Sequence, residues 1–182
     1  MAPVEGMSHG RGSECRVVSW NVAGLKRLLA HRAARSLFLA CDVICCQETW
    51  ASSPSPLPGF YEIFLPATPA RGRGRPLGGL SIYVSHRWNL GVTSVPIESD
   101  SLQAIILRNE QQKGGKIFMV LINCYLNFSG KCPRSFEEEI CADLEIVLAT
   151  FPRADICLAG DFNIHNLDCP GMGRLPRGGK LK

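Results

Sequence analysis

The sequence predicts an α/β fold, and three observations carry that prediction. Short β-branched or continuously apolar runs, of the length of buried strands, recur along most of the chain. Two longer stretches repeat apolar residues every three or four positions, the spacing of helices that cover a sheet. The first of these stretches stands between two strand-like runs, so the chain opens in strand–helix–strand order within about 30 residues.

Taken in order, "CRVVSWNVAG" (Cys15 to Gly24) begins β-branched and ends in Asn and Gly, a strand giving onto a loop. "LKRLLAHRAARSLFLA" (Leu25 to Ala40) places Leu25, Leu28, Leu29, Ala33, Leu37 and Ala40 on one stripe and reads as one amphipathic helix. "CDVICCQ" is a continuous apolar run suited to a strand covered on both faces. The prolines of "TWASSPSPLPG" exclude regular structure. Strands are then expected in "FYEIFLPA", "GGLSIYVSHRW", "LGVTSVPI", "LQAIILRN" and "KIFMVLINCYLN", with "EQQKGGK" as a turn before the last of these. "PRSFEEEICADLEIVLAT" (Pro133 to Thr150) is helical by its Phe136, Ile140, Leu144, Val147 and Leu148 spacing, and "ADICLAG" is the last strand. One sheet faced by helices accounts for these elements.

At 182 residues the chain has room for one domain with a real core. A hydrophobic fraction of 46% and a mean hydropathy of +0.05 belong to a globular protein. No apolar run approaches the roughly 20 residues of a membrane span, and no secretory leader is visible, so an intracellular protein, nuclear or cytoplasmic, is expected. The nine cysteines are odd in number, lie largely in apolar runs and form no CxxC pair, so they read as reduced, packed thiols. Residues 1–14 read as a disordered leader and 167–182 as a basic flexible tail around a domain of 15–166. Net charge is +4, concentrated in "RGRGR" (Arg71 to Arg75) and "RLPRGGKLK" (Arg174 to Lys182). Such glycine-rich basic segments, expected to be extended and flexible, suit the phosphates of a nucleic acid; ordinary solvated loops have the same composition, and charge alone does not choose.

Ligands of α/β sheets gather where strands end. The polar residues at the expected strand ends are few: Asn21, Glu48, Tyr125, Asp161 and Asn163. Two carboxylates, two amides and a phenol suit phosphate chemistry with a hard cation. Mg²⁺ takes oxygen ligands and commonly only one or two carboxylates, while amides and a phenol hold a phosphate without repelling it. Each residue alone has a plainer reading: a cap, a solvated strand end, a core aromatic or turn chemistry.

The ordered set "VVSWNVAGL", "DVICCQETW", "GGLSIYVS", "INCYL" and "LAGDFN" resembles the endonuclease/exonuclease/phosphatase superfamily over about Cys15 to Asn166. This superfamily holds the deoxyribonuclease I-like enzymes, and the style is nearest to LINE-type retrotransposon and abasic-site endonuclease domains. The resemblance implies a four-layer α/β sandwich, two mixed sheets with helices outside, and Mg²⁺-dependent hydrolysis of a phosphodiester, with Mn²⁺ able to replace Mg²⁺. It implies that Glu48 holds the metal with Asn21 close by, that Asp161 aligns or deprotonates the attacking water, and that Asn163 and Tyr125 hold the scissile phosphate. Double-stranded DNA is the partner it implies, and Arg71, Arg73 and Arg75 are the candidate contacts. The family ends in a further Asp and an Asp-His pair in "S-D-H" context, and nothing after Asn163 matches these; His165 follows the same strand as Asn163 and does not replace them. The expectation is therefore a DNA endonuclease by ancestry that is incomplete at its C-terminus and weakly active or inactive alone. A binding module without catalysis, and a phosphatase of small phosphorylated molecules or lipids, are the alternatives.

Overall fold

The computed structural model describes residues 15–70, 72–88, 90–109, 116–126 and 133–163. The leader 1–14, the tail 167–182, Arg71 and the turn between the sixth and seventh strands lie outside these residues. The elements run β1 (Val17–Asn21), α1 (Leu25–Ala30), α2 (Arg32–Leu39), β2 (Val43–Gln47), β3 (Phe60–Leu65), β4 (Leu80–Ser85), β5 (Leu90–Val95), β6 (Leu102–Asn109), β7 (Lys116–Tyr125), α3 (Pro133–Thr150) and β8 (Ile156–Asp161). All eight expected strands form, and α3 has the expected bounds.

The strands make two sheets rather than one. The first has the order β1-β2-β4-β3 and the second β5-β6-β7-β8. Each contains one parallel pair, β1 with β2 and β7 with β8, and is otherwise antiparallel. Three apolar layers hold the sandwich together. Val43, Cys45, Ile82 and Val84 of the first sheet meet Ile105, Leu107 and Leu121 of the second between the sheets. Leu25 and Phe38 from α1 and α2 cover Ile44, Cys46 and Tyr83 on the outer face of the first sheet. Ile140 and Val147 of α3 cover Leu102, Val120 and Ile122 on the outer face of the second. Alternation along β2 explains how one strand serves two layers: Val43 and Cys45 face inward while Ile44 and Cys46 face the helices. The result is the four-layer α/β sandwich of two mixed sheets flanked by helices.

The stretch Leu25 to Ala40 is two helices, and the burial pattern shows why. The buried residues are Leu25 in α1 and Ala34 and Phe38 in α2. At about 100° per residue, a continuous helix would set Ala34 and Phe38 on the side opposite Leu25. An extended His31 (φ −86°, ψ 114°) ends α1 and re-aims the chain, so both segments bury against the same sheet. The apolar residues that suggested a single stripe are not all inside, since Leu37 is 60% exposed.

Among the described residues, Cys15, Cys41, Cys45, Cys46, Cys124, Cys141 and Cys157 are free thiols. Burial raises the Cys45 and Cys124 thiols to about 12, the state of small packed hydrophobes. No helix among the described residues is long and apolar enough to cross a membrane.

Candidate active site

Both parallel pairs end at the same place. The carboxyl ends of β1 and β2 in one sheet meet those of β7 and β8 in the other, and they carry Asn21, Glu48, Tyr125 and Asp161. Residues up to 140 positions apart in sequence are thereby joined by hydrogen bonds. The Asn21 amide Nδ2 donates to Glu48 Oε1 at 3.1 Å and to Asp161 Oδ2 at 2.7 Å. Tyr125 Oη donates to Glu48 Oε1 at 2.5 Å, a short bond of the kind a charged acceptor makes. Asn21 Oδ1 accepts the Ala23 N–H at 3.2 Å, which commits the oxygen to the loop and turns the NH₂ toward the two carboxylates.

Local backbone geometry aims these groups. Glu48 takes the left-handed conformation (φ 51°), as do Ala23, Trp50 and Asn163 nearby. Each such non-glycine residue costs of order 1 kcal/mol, and such costs collect where a side chain must be aimed rather than packed. At the end of β8 the close approach is to β7: a Cβ on Gly160 would lie 2.0 Å from the Cys124 carbonyl oxygen, so only glycine fits there. That contact brings Asp161 level with Tyr125, its register partner.

Alternation past Gly160 would put Asp161 and Asn163 on one side, but the strand ends at Asp161 and Asn163 is left-handed (φ 46°). Its backbone N–H donates to Asp161 Oδ1 at 3.1 Å and its amide to the Leu126 carbonyl at 2.8 Å. Asn163 thus braces Asp161 and the chain beyond Tyr125. Phe162, between them, packs into the α3 layer.

The electrostatics follow. Two carboxylates converge, bridged by a neutral amide. The Tyr125 phenol is held well above its ordinary value by burial, by its bond to Glu48, and by the charges of Glu48 and Asp161, with Arg75 pulling the other way. It stays protonated and acts as a donor. The donors on offer are all oxygen: two carboxylates, a phenol and an amide. Among the described residues no three His, Cys, Asp or Glu side chains group together as a metal site. A donor set of one or two carboxylates is nonetheless what Mg²⁺ uses, with water and substrate oxygens filling its other positions. The residues present fit a hard divalent cation.

Two features escaped the sequence. Behind Glu48, the buried Gln47 donates to Asn123 Oδ1 at 2.7 Å and to Ser19 Oγ at 3.0 Å, while Asn123 donates to the Cys46 carbonyl at 3.1 Å. This amide pair ties β2 to β7 across the sandwich, one residue before Glu48 and two before Tyr125. The only hint in the sequence is a pair of amides inside otherwise apolar strands. The second is Trp50, which carries the Arg75 guanidinium 4.4 Å from its ring centroid. The Arg71 to Arg75 segment is also not a loose extended loop among its described residues, because Thr68 and Leu77 pair as a bridge beneath it. Arg73 and Arg75 are both exposed, and Arg71 lies outside the described residues.

Comparison with known proteins agrees with this architecture. The model of the Endonuclease/Exonuclease/phosphatase family matches residues 18–175. No curated protein matches the chain. Among solved structures it is similar to the catalytic domain of Xenopus laevis APE2 (TM-score 0.56, 16% identity, 84% of this chain and 59% of that one). It is also similar to the 3′ phosphatase NExo from Neisseria bound to product DNA hairpin (0.55, 18%, 85% and 60%). An AP endonuclease from Archaeoglobus fulgidus matches as well (0.51, 16%, 84% and 58%). The chain therefore spans about three fifths of the length of these proteins, and at such identities the likeness is one of fold. With the family model matched across most of its length, the chain belongs to the Endonuclease/Exonuclease/phosphatase family.

Proposed function

We propose that this site serves divalent-metal-dependent hydrolysis of a phosphodiester in nucleic acid, with double-stranded DNA as substrate. The observation that carries the reading is the bridge of Asn21 between Glu48 and Asp161, with Tyr125 bonded to the same Glu48 oxygen. Glu48 would hold Mg²⁺ or Mn²⁺, with Asn21 beside it. A cation bound there supplies neutralisation of the charge that grows on the phosphate oxygens, a large term in such reactions.

The protein's own groups divide the remaining work. Asp161, braced by the Asn163 N–H, orients the attacking water and accepts its proton as the oxygen bonds to phosphorus. The departing ester oxygen leaves with the bonding electron pair and takes up a proton from solvent. Tyr125 keeps its hydrogen and offers it to a phosphate oxygen, and Asn163 offers its amide. Neutral donors hold the phosphate without adding negative charge next to two carboxylates. The DNA-bound NExo structure and the AP endonuclease, similar in fold, support nucleic acid as substrate. The exposed Arg73 and Arg75, with Arg71, would meet the backbone. Turnover by these 182 residues is expected to be slow, because none of them matches the Asp-His pair with which family members end.

Single-turnover nicking of supercoiled plasmid, at protein in excess, tests the reading. Slow nicking is expected with Mg²⁺ and none with EDTA, and Glu48→Gln or Asp161→Asn should slow it at least about 100-fold. Nicking that survives Glu48→Gln contradicts the assignment. Protein that retards the plasmid but never nicks it makes the chain a binding module instead.

A further inference from the structure

The arm between β3 and β4 carries a cation that the hydrolytic scheme does not use. Its base is closed by two backbone bonds, Thr68 N–H to the Leu77 carbonyl at 2.9 Å and Leu77 N–H to the Thr68 carbonyl at 3.0 Å. It is rooted in the segment that follows Glu48: Thr49 N–H donates to the Gly79 carbonyl and Trp50 N–H to the Gly78 carbonyl, both at 3.1 Å. From its tip the chain returns to lay Arg75 on the Trp50 indole.

Trp50 is itself fixed. A Cβ on Gly24 would stand 2.8 Å from its Cε3, so the indole rests against the bare backbone of the loop that carries Asn21. Its left-handed backbone (φ 51°) costs of order 1 kcal/mol and turns the ring toward that loop. Arg75 is exposed at this position and forms no ion pair with Glu48 or Asp161. It is close enough to lower the Tyr125 phenol against burial and both carboxylates. An indole beneath a guanidinium keeps the fork planar with its N–H groups at the edges, the geometry that takes a phosphate with two bonds. A free arginine must first give up about 2 kcal/mol of rotamer entropy.

We propose that Arg75, seated on Trp50, is a built contact for a second phosphate of the substrate strand, one other than the phosphate that is cleaved. The site thereby favours a polynucleotide over a single-phosphate ester, and Arg73 lends only diffuse charge. This rests on the phosphodiesterase reading above.

The test is binding of a fluorescent DNA duplex to the full chain in EDTA, read by anisotropy across a salt series, with melting curves as the check on folding. Arg75→Ala is expected to weaken binding about tenfold and to lower the salt slope by about 1. Arg75→Lys should weaken it nearly as much, since an ammonium cannot keep the planar fork, and Arg73→Ala by about threefold or less. Trp50→Leu, which changes no charge, should behave like Arg75→Ala. Competition by thymidine monophosphate, with its single phosphate, should be the same for wild type and Arg75→Ala. Full binding by Arg75→Lys, equal losses from Arg73→Ala and Arg75→Ala, or competition that depends on Arg75 overturns the proposal. Duplex binding indifferent to Arg75 removes this proposal alone. A wild-type chain that binds no duplex removes the nucleic-acid reading with it.

Discussion

Glu48 concentrates the chemistry in one residue. It ends a fully buried strand, turns through a left-handed backbone, and gathers the Asn21 amide and Tyr125 hydroxyl on one oxygen. Tyr125 is the partner whose state can be measured. Burial, the Glu48 bond and the two nearby carboxylates raise its phenol above the usual value, against Arg75. An unfolded chain ionises that phenol near pH 10, so the folded state keeps its advantage below that pH and loses it as pH rises through the higher folded value. Alkaline difference absorbance of wild type and Tyr125→Phe isolates this group. No Tyr125 phenolate is expected at pH 10 while the chain is folded; its appearance there contradicts the bond to Glu48. At this scale the sequence was readable where side-chain chemistry is unusual for its place, as with polar residues where apolar strands end. It was silent where the backbone decides. Nothing in "GDFN" announces that Asn163 turns left-handed and spends its amide on the Leu126 carbonyl.

Among the elements, the strands were legible because each carries its own local pattern, and α3 because one face packs along its whole length. The break at His31 was not legible. It depends on which side of α2 meets the sheet, and that is fixed by residues distant in sequence. A polar anchor sets the opposite end of the first sheet. Asp42, 2% exposed, accepts the Arg16 N–H at 2.7 Å together with the Trp88 indole and the Arg87 guanidinium. Burial alone would raise its carboxyl, but these donors, with the Arg87 charge, bring it below the ordinary value. Its stabilisation is complete above the unfolded carboxyl value of about 3.9 and is lost as pH falls through the lower folded value. Asp42→Asn is expected to cost about 2 kcal/mol in urea unfolding at pH 7. The difference should be the same at pH 5 and shrink below about pH 4. A gap that persists at pH 2 would place the effect in packing rather than in the charge.

For the whole molecule, function follows from how two sheets are stacked. Each contributes one parallel pair, and the stacking brings the carboxyl ends of both pairs together, so that Asn21 and Asp161 touch across 140 residues of sequence. No local pattern encodes that approach, and the strands by themselves are equally well served by one sheet. The order of the motifs along the chain did encode it, by resemblance to a family whose architecture is shared. The buried Gln47–Asn123 pair shows the physical means: an amide bond between the sheets, immediately behind the site, fixes their relative register. The central claim is that Glu48, held by Asn21 and Tyr125, is the seat of a hard cation. Calorimetric titration of the chain with MnCl₂, for wild type and Glu48→Gln, tests it most directly. One site that Glu48→Gln weakens at least about tenfold is the expected result; equal affinity in the two proteins would contradict the account.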